Sequence, residues 1–127
     1  MAASVISRKE AATSFLRQCA AGNARQAFST YAGEGFRHHN VFFPGTADAL
    51  MNAMDENARQ NPQKTIDILH SIEEGDLVAL HSRVHLQPGD RGIALVHLFR
   101  FNKDRVVELW DIAQPVPENS PNAYGMF

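Results

Sequence analysis

Hydrophobic positions recur with two different periods along this chain, and the period changes near residue 64. In the first half they follow helical spacing. The run "SRKE" from Ser7 predicts a capping box, in which the serine oxygen accepts from the Glu10 amide and Glu10 reaches back. Ala11, Ala12, Phe15, Leu16, Cys19 and Ala20 then return every three or four residues, and Gly22 is placed to end that helix. Asn23 is positioned to cap a second, short helix bearing Ala27, Phe28 and Tyr31, broken by Gly33 and Gly35. Beyond "FRHHNVFFPG" a third helix is expected. Its cap is Thr46, its apolar stripe is Leu50, Met51, Met54 and Ala58, and Asn61-Pro62 stops it.

From Lys64 the pattern alternates. Ile66, Ile68, His70 and Ile72 take turns with Asp67, Leu69, Ser71 and Glu73, which predicts a strand with His70 as a core histidine among isoleucines. "EEGD" at 73–76 has hairpin-turn chemistry. The next strand sets Val78, Leu80, Ser82, Val84 and Leu86 on one face and His81, Arg83 and His85 on the other. "PGDRG", "IALVHLFRF", "NKD" and "RVVELWDIA" complete four strands with short links, an antiparallel meander. Helices followed by a sheet predict an α+β domain, residues 1–127 in one unit, with the helices on one face of a curved sheet. The last two strands are apolar on both faces. One face must meet the helices, and the other must meet a second chain or line a cavity. The tail "QPVPENSPNAYGMF" is too rich in Pro and Asn for regular structure, yet Tyr124, Met126 and Phe127 imply that its end packs on something.

Composition narrows the classes little further. A chain of 127 residues, 44% hydrophobic and 20% charged, is large enough to bury a core without disulfides or metal. A net charge of −2 gives no basic patch for nucleic acid or an anionic membrane. No apolar run approaches the roughly 20 residues that cross a bilayer, and the N-terminus lacks the pattern of a secretion signal. The lone Cys19 reads as a packed core thiol in a reducing cytoplasm. His81 and His85 share a strand face but stand about 13 Å apart, too far to hold one ion, so no metal site is expected.

The chemical oddity is Asp111, a carboxylate among Leu109, Trp110 and Ile112. With "NKD" as a three-residue loop, Leu95, His97, Phe99, Val107, Leu109 and Asp111 share one face. His97 and Asp111 are then diagonal neighbours, roughly 7 Å apart. A two- or four-residue loop would send them to opposite faces. Burial disfavours the charged form of a carboxylate and suits it to proton exchange, and a nearby histidine can share that proton. The alternative is a structural anchor bonded to backbone amides or an arginine.

"EGDLVALHSRV", "GIALVHLFRF" and "RVVELWDIAQPVPENSPNAYGMF" resemble the SnoaL-like polyketide cyclases of the NTF2-like superfamily, and most closely the SnoaL-like aldol-condensation enzymes. The likeness runs over residues 36–127, and "FRHHN" resembles the family's His-Asn step at His39 and Asn40. The resemblance implies a cone-shaped, strongly curved sheet wrapped around helices, an apolar pocket, and homodimers packed through their sheets. It implies ring closure by an aldol step without metal or organic cofactor, with Asp111 as general acid/base. His97 and His39 would assist it. Leu95 stands where the family has a glutamine, and closer relatives read "HWD" at Leu109-Trp110-Asp111 and carry an acidic residue at His97. Trp110, Leu95, Phe99, Leu109, His81, Phe36 and Tyr31 are the implied lining for a small, mostly apolar carbonyl compound. Because the fold alone does not fix chemistry, a dimeric binding module without turnover stands as the second reading.

Overall fold

The computed structural model describes residues 6–127; residues 1–5, part of the stretch read for a secretion signal, lie outside them. Three helices come first or between the early strands: α1 (Arg8–Ala20), α2 (Ala24–Tyr31) and α3 (Ala47–Gln60). The strands are β1 (Ala32–His38), β2 (Thr65–Glu74), β3 (Leu77–His85), β4 (Ile93–Asn102) and β5 (Arg105–Pro115). They form one curved, unclosed sheet in the order β1-β5-β4-β3-β2. No described helix is long and apolar enough to cross a membrane.

The predicted caps hold at two of three helices. Ser7 Oγ accepts from the Glu10 amide and Thr46 Oγ1 from the Ala49 amide, each satisfying one of the amide hydrogens left over in a first turn. Asn23, by contrast, makes no side-chain cap bond. The helices fill the concave side of the sheet. Phe15 from α1 is fully buried and meets Phe28 of α2 at 4.9 Å and Phe99 of β4 at 5.8 Å between ring centroids. Val78, Leu80, Phe101, Val106 and Leu109 extend this core along the sheet.

The antiparallel meander appears as β2 to β5, but the sheet has a fifth strand that the pattern did not announce. β1 runs parallel to β5. Gly33 and Gly35, read as helix breakers, lie within β1, and Gly33 serves its close approach to β5. A Cβ on Gly33 would lie 2.8 Å from Arg105 Cβ, closer than real Cβ contacts come. Gly35 has φ +77° and sits inside the register shift between Ala32 and Arg37, where an L side chain would be strained.

Two further departures decide which side chains face inward. The β4–β5 turn holds only Lys103 and Asp104, because Asn102 pairs with Arg105. A two-residue turn alone would have reversed the parity. A bulge restores it: Phe101 pairs with Val106 but Arg100 pairs with Glu108, so Val107 is left over. In β2 the pairing slips at Leu69, between Ile68 opposite Ser82 and His70 opposite His81. Ile66 and Ile68 therefore pack inward, whereas His70 and Ile72 lie exposed on the outer face. His70 is not a core histidine; its Nδ1 lies 3.0 Å from Nδ1 of His81. The tail ends on this outer face, with Phe127 stacked near His81 and its ring 4.7 Å under the Arg83 guanidinium. Tyr124, expected to pack, is 91% exposed.

Candidate functional site

The inward-facing end of β3, β4 and β5 and the facing side of α3 enclose a cleft of about 460 Å³. Most of its wall is hydrocarbon, from Leu50, Met54, Val84, Leu86, Ile93 and Leu95. Seven polar side chains break that wall: Asn40, Glu56, Asn57, Gln60, Lys64, His97 and Asp111. A larger depression of about 610 Å³ lies along α1, but Ser7, Lys9, Glu10, Thr13 and Arg17 give it a solvated, mixed-charge lining.

His97 and Asp111 are direct cross-strand partners, one step closer than the diagonal relation expected from a three-residue turn. His97 is 5% exposed, and its Nδ1 is buried without a hydrogen-bond partner. Burial pushes the imidazole down to about 4; the Asp111 charge opposes that shift and Lys64 adds to it. The ring is therefore neutral near pH 7.

Asp111 does not face the sheet's outer surface. Its Oδ2 accepts from Asn40 Nδ2 at 3.0 Å. The orientation of that amide follows from its neighbours, since Asn40 Oδ1 accepts from the Phe42 amide and leaves the NH₂ end for the carboxylate. His38 braces the same turn. Its Nε2 lies 2.6 Å from the Pro44 carbonyl and must donate, so Nδ1 is free to accept from the Asn40 amide. The His39 amide donates to the Leu109 carbonyl, which ties the whole step to β5.

Of the residues singled out in the sequence, Asp111, His97 and Leu95 line the cleft. Phe99 and Leu109 form the core beside it, and Phe36 packs against Phe28. Tyr31 donates to Ser14 Oγ and borders a different hollow near Ile6 and Phe101. His39, Trp110 and His81 are on the outer face. His39 stacks on Trp110 at 4.9 Å, and its Nε2 lies 2.6 Å from Glu108 Oε2. His39 and Asn40 lie just past the end of β1, and at this step the side chain that reaches the cleft is Asn40. Glu108 collects His39, Arg37 and Arg100 into a charge cluster, and the His39 hydrogen bond, followed by Arg37, holds its carboxyl below the usual range. Asn40, Asn57 and Lys64 were missed as site residues. Asn40 stood in the quoted His-Asn step, but nothing in the pattern marks Lys64.

A family model described as a SnoaL-like domain matches residues 12–109. The chain belongs to the SnoaL-like family. Solved structures agree on the fold. An NTF2-like protein of unknown function from Cytophaga hutchinsonii is 18% identical, with 90% of this chain and 96% of that one covered and a TM-score of 0.71. A proposed isomerase of the SnoaL-like family from Agrobacterium tumefaciens is 9% identical, covers 86% and 99%, and gives 0.70. A proposed SnoaL-like polyketide cyclase from Shewanella putrefaciens is 13% identical, covers 89% and 92%, and gives 0.67. No curated protein matches the chain significantly. The SnoaL-like match includes His97 and stops before Asp111, so the family assignment is independent of the carboxylate.

The buried imidazole of this SnoaL-like domain has a consequence for stability. The unfolded chain takes up a proton at His97 as pH falls through about 6.5, while the folded chain resists until about 4. Stability from this group is therefore complete above pH 6.5 and lost on the way down to 4, by roughly 3 kcal/mol. Urea unfolding at pH 7 and 4.5 is expected to show the loss, and His97→Leu is expected to remove most of the difference between the two pH values.

Proposed function

We propose that this chain is a cofactor-independent acid–base enzyme of the cyclase or isomerase type, acting on a small, mostly apolar carbonyl compound. The observation that carries this reading is the direct pairing of Asp111 with a neutral, buried His97 on the wall of an apolar cleft. Asn40 holds one carboxylate oxygen and leaves the other for substrate. Asp111 removes a proton from the carbon next to the carbonyl; the C–H electron pair moves to oxygen as an enolate. A ring N–H of His97 hydrogen-bonds that oxygen, and the dry surroundings strengthen the bond. The enolate carbon then either takes the proton back at a new position or attacks a second carbonyl, whose oxygen receives the proton from Asp111. A cleft of this size suits a ligand of modest dimensions. Phe99, Met126 and Phe127, the side chains best able to plug such a space, lie in the core or by the tail.

We also propose that two copies pair through the outer face of the sheet, where the cross-strand row Ile72, Ala79, Leu98 and Trp110 and the 64%-exposed Ile112 offer apolar surface. One feature favours the second reading, a binding module without turnover: Leu95 faces the cleft with no group to hydrogen-bond a substrate.

Deuterium exchange into small ketones separates the two readings without knowledge of the physiological substrate. In D₂O the protein is expected to speed loss of the α-proton signals of at least one member of a panel of cyclic and linear ketones. Exchange no faster than buffer across the panel would favour the binding module.

A further inference from the structure

Lys64 is a cation in the wrong place for a purely structural lysine. It follows the turn that ends α3, where its own amide donates to the Asn61 carbonyl, and its side chain turns into the cleft instead of out to solvent. Nζ donates to Asn57 Oδ1 at 2.7 Å. An ammonium has three hydrogens to give, and a neutral amide oxygen takes only one of them. None of the ion pairs among the described residues includes Lys64. Two carboxylates share the cleft with it, but Asp111 Oδ2 accepts from Asn40 and Glu56 is engaged by Arg59 and Gln60. Burial lowers the Lys64 pKa, and the Cys19 thiol beside it offers no compensating charge at neutral pH because burial pushes that thiol up to about 12. The protein thus keeps a partly desolvated amine, with the Asn57 oxygen as its one side-chain acceptor, on a cleft wall more apolar than polar. Such a group is costly unless an anion completes it.

We propose that Lys64 determines specificity in this cleft and that the ligand is an amphipathic carboxylic acid, its carboxylate on Lys64 and its chain along the Leu50, Met54, Val84 and Leu95 wall. The inference rests on the reading of the cleft as the reactive site and narrows its substrate class to oxo acids, with the ketone carbonyl toward His97 and Asp111. Charge-assisted hydrogen bonds are about twice as strong as neutral ones, which separates acids from their amides.

The test compares octanoate with octanamide, two probes of matched length, by NMR titration that follows the His97 ring and the Asn57 side-chain amide. In the unaltered protein octanoate is expected to bind about tenfold or more tightly than octanamide. Lys64→Met is expected to bring the two affinities together, and Lys64→Arg, which keeps the charge, to preserve the preference; a thermal melt of each variant shows whether it is folded. Equal affinities in the unaltered protein, a preference that survives Lys64→Met, or no octanoate binding at the cleft would each overturn the proposal. Asp111→Asn is the control for the underlying reading. It should slow α-proton exchange by about 10²–10⁴-fold yet keep the acid preference, so a failed assignment of Asp111 is told apart from a failed assignment of Lys64.

Discussion

Asp111→Asn is expected to lower the rate of α-proton exchange by about 10²–10⁴-fold, the range that a positioned acid or base contributes. The replacement amide has nearly the same shape, and its oxygen can still accept from Asn40, so the fold should survive with a thermal midpoint close to that of the unaltered protein. What it loses is the ability to take a proton. The remaining rate comes from the cleft itself, which still orients the ketone and presents His97 to the enolate oxygen. The exchange is followed by ¹H NMR in D₂O on whichever ketone the unaltered protein exchanges fastest. A variant within a few-fold of the starting rate would remove Asp111 from the chemistry and return it to the role of a structural anchor.

Phe15→Ala is expected to be the most damaging single change to stability, by about 3–5 kcal/mol in urea unfolding at neutral pH. Phe15 has no exposed surface and contacts aromatic rings from both α2 and β4. Its removal takes away the transfer energy of a phenyl ring and leaves a cavity whose walls, Phe28 and Phe99, belong to separate elements and cannot both collapse into it. Since small domains are stable by only about 5–15 kcal/mol, the variant should be marginal at room temperature. Phe99 also lies 6.1 Å from the His97 ring, so a protein that survives the change should bind cleft ligands less well. A loss under about 1 kcal/mol would mean that the aromatic cluster is not the center of the core.

Much of the architecture was legible because each half of the chain keeps a single strong period. The stripe from Ala11 to Cys19 and the Ser7 cap give α1, and the alternation from Val78 to Val84 gives β3 face by face. The failures have local physical causes. β1 was hidden because glycine carries two meanings: Gly33 and Gly35 interrupt a helix pattern, but here Gly33 lets β1 lie against β5 and Gly35 takes the positive φ of the register shift. His70 was placed inside because alternation assumes an unbroken ladder, and one slipped residue, Leu69, exchanges the faces of everything after it. On the final hairpin a shorter turn and a bulge cancel, so the face containing His97 and Asp111 came out as expected while the pairing within it did not.

The site was less legible than the fold. Asp111 stood out because a carboxylate between apolar neighbours is chemically conspicuous. His39 was preferred to His38 on the family's His-Asn step, whereas the turn after β1 brings Asn40 to the cleft and leaves His39 on the outer face with Glu108. Lys64 gave no signal at all. A lysine beside a turn is ordinarily solvated, and here the short connection from α3 to β2 puts its amine on the cleft wall.

A buried, uncharged imidazole faces the Asp111 carboxylate across the β4–β5 ladder, and the titration of His97 measures that arrangement with no substrate required. With ¹³C-labelled histidine, one of the ring resonances is expected to titrate near pH 4, and Asp111→Asn is expected to move that midpoint lower still, because the aspartate charge now favours the protonated ring. A His97 midpoint near the ordinary value of about 6.5, indifferent to the substitution, would contradict the account.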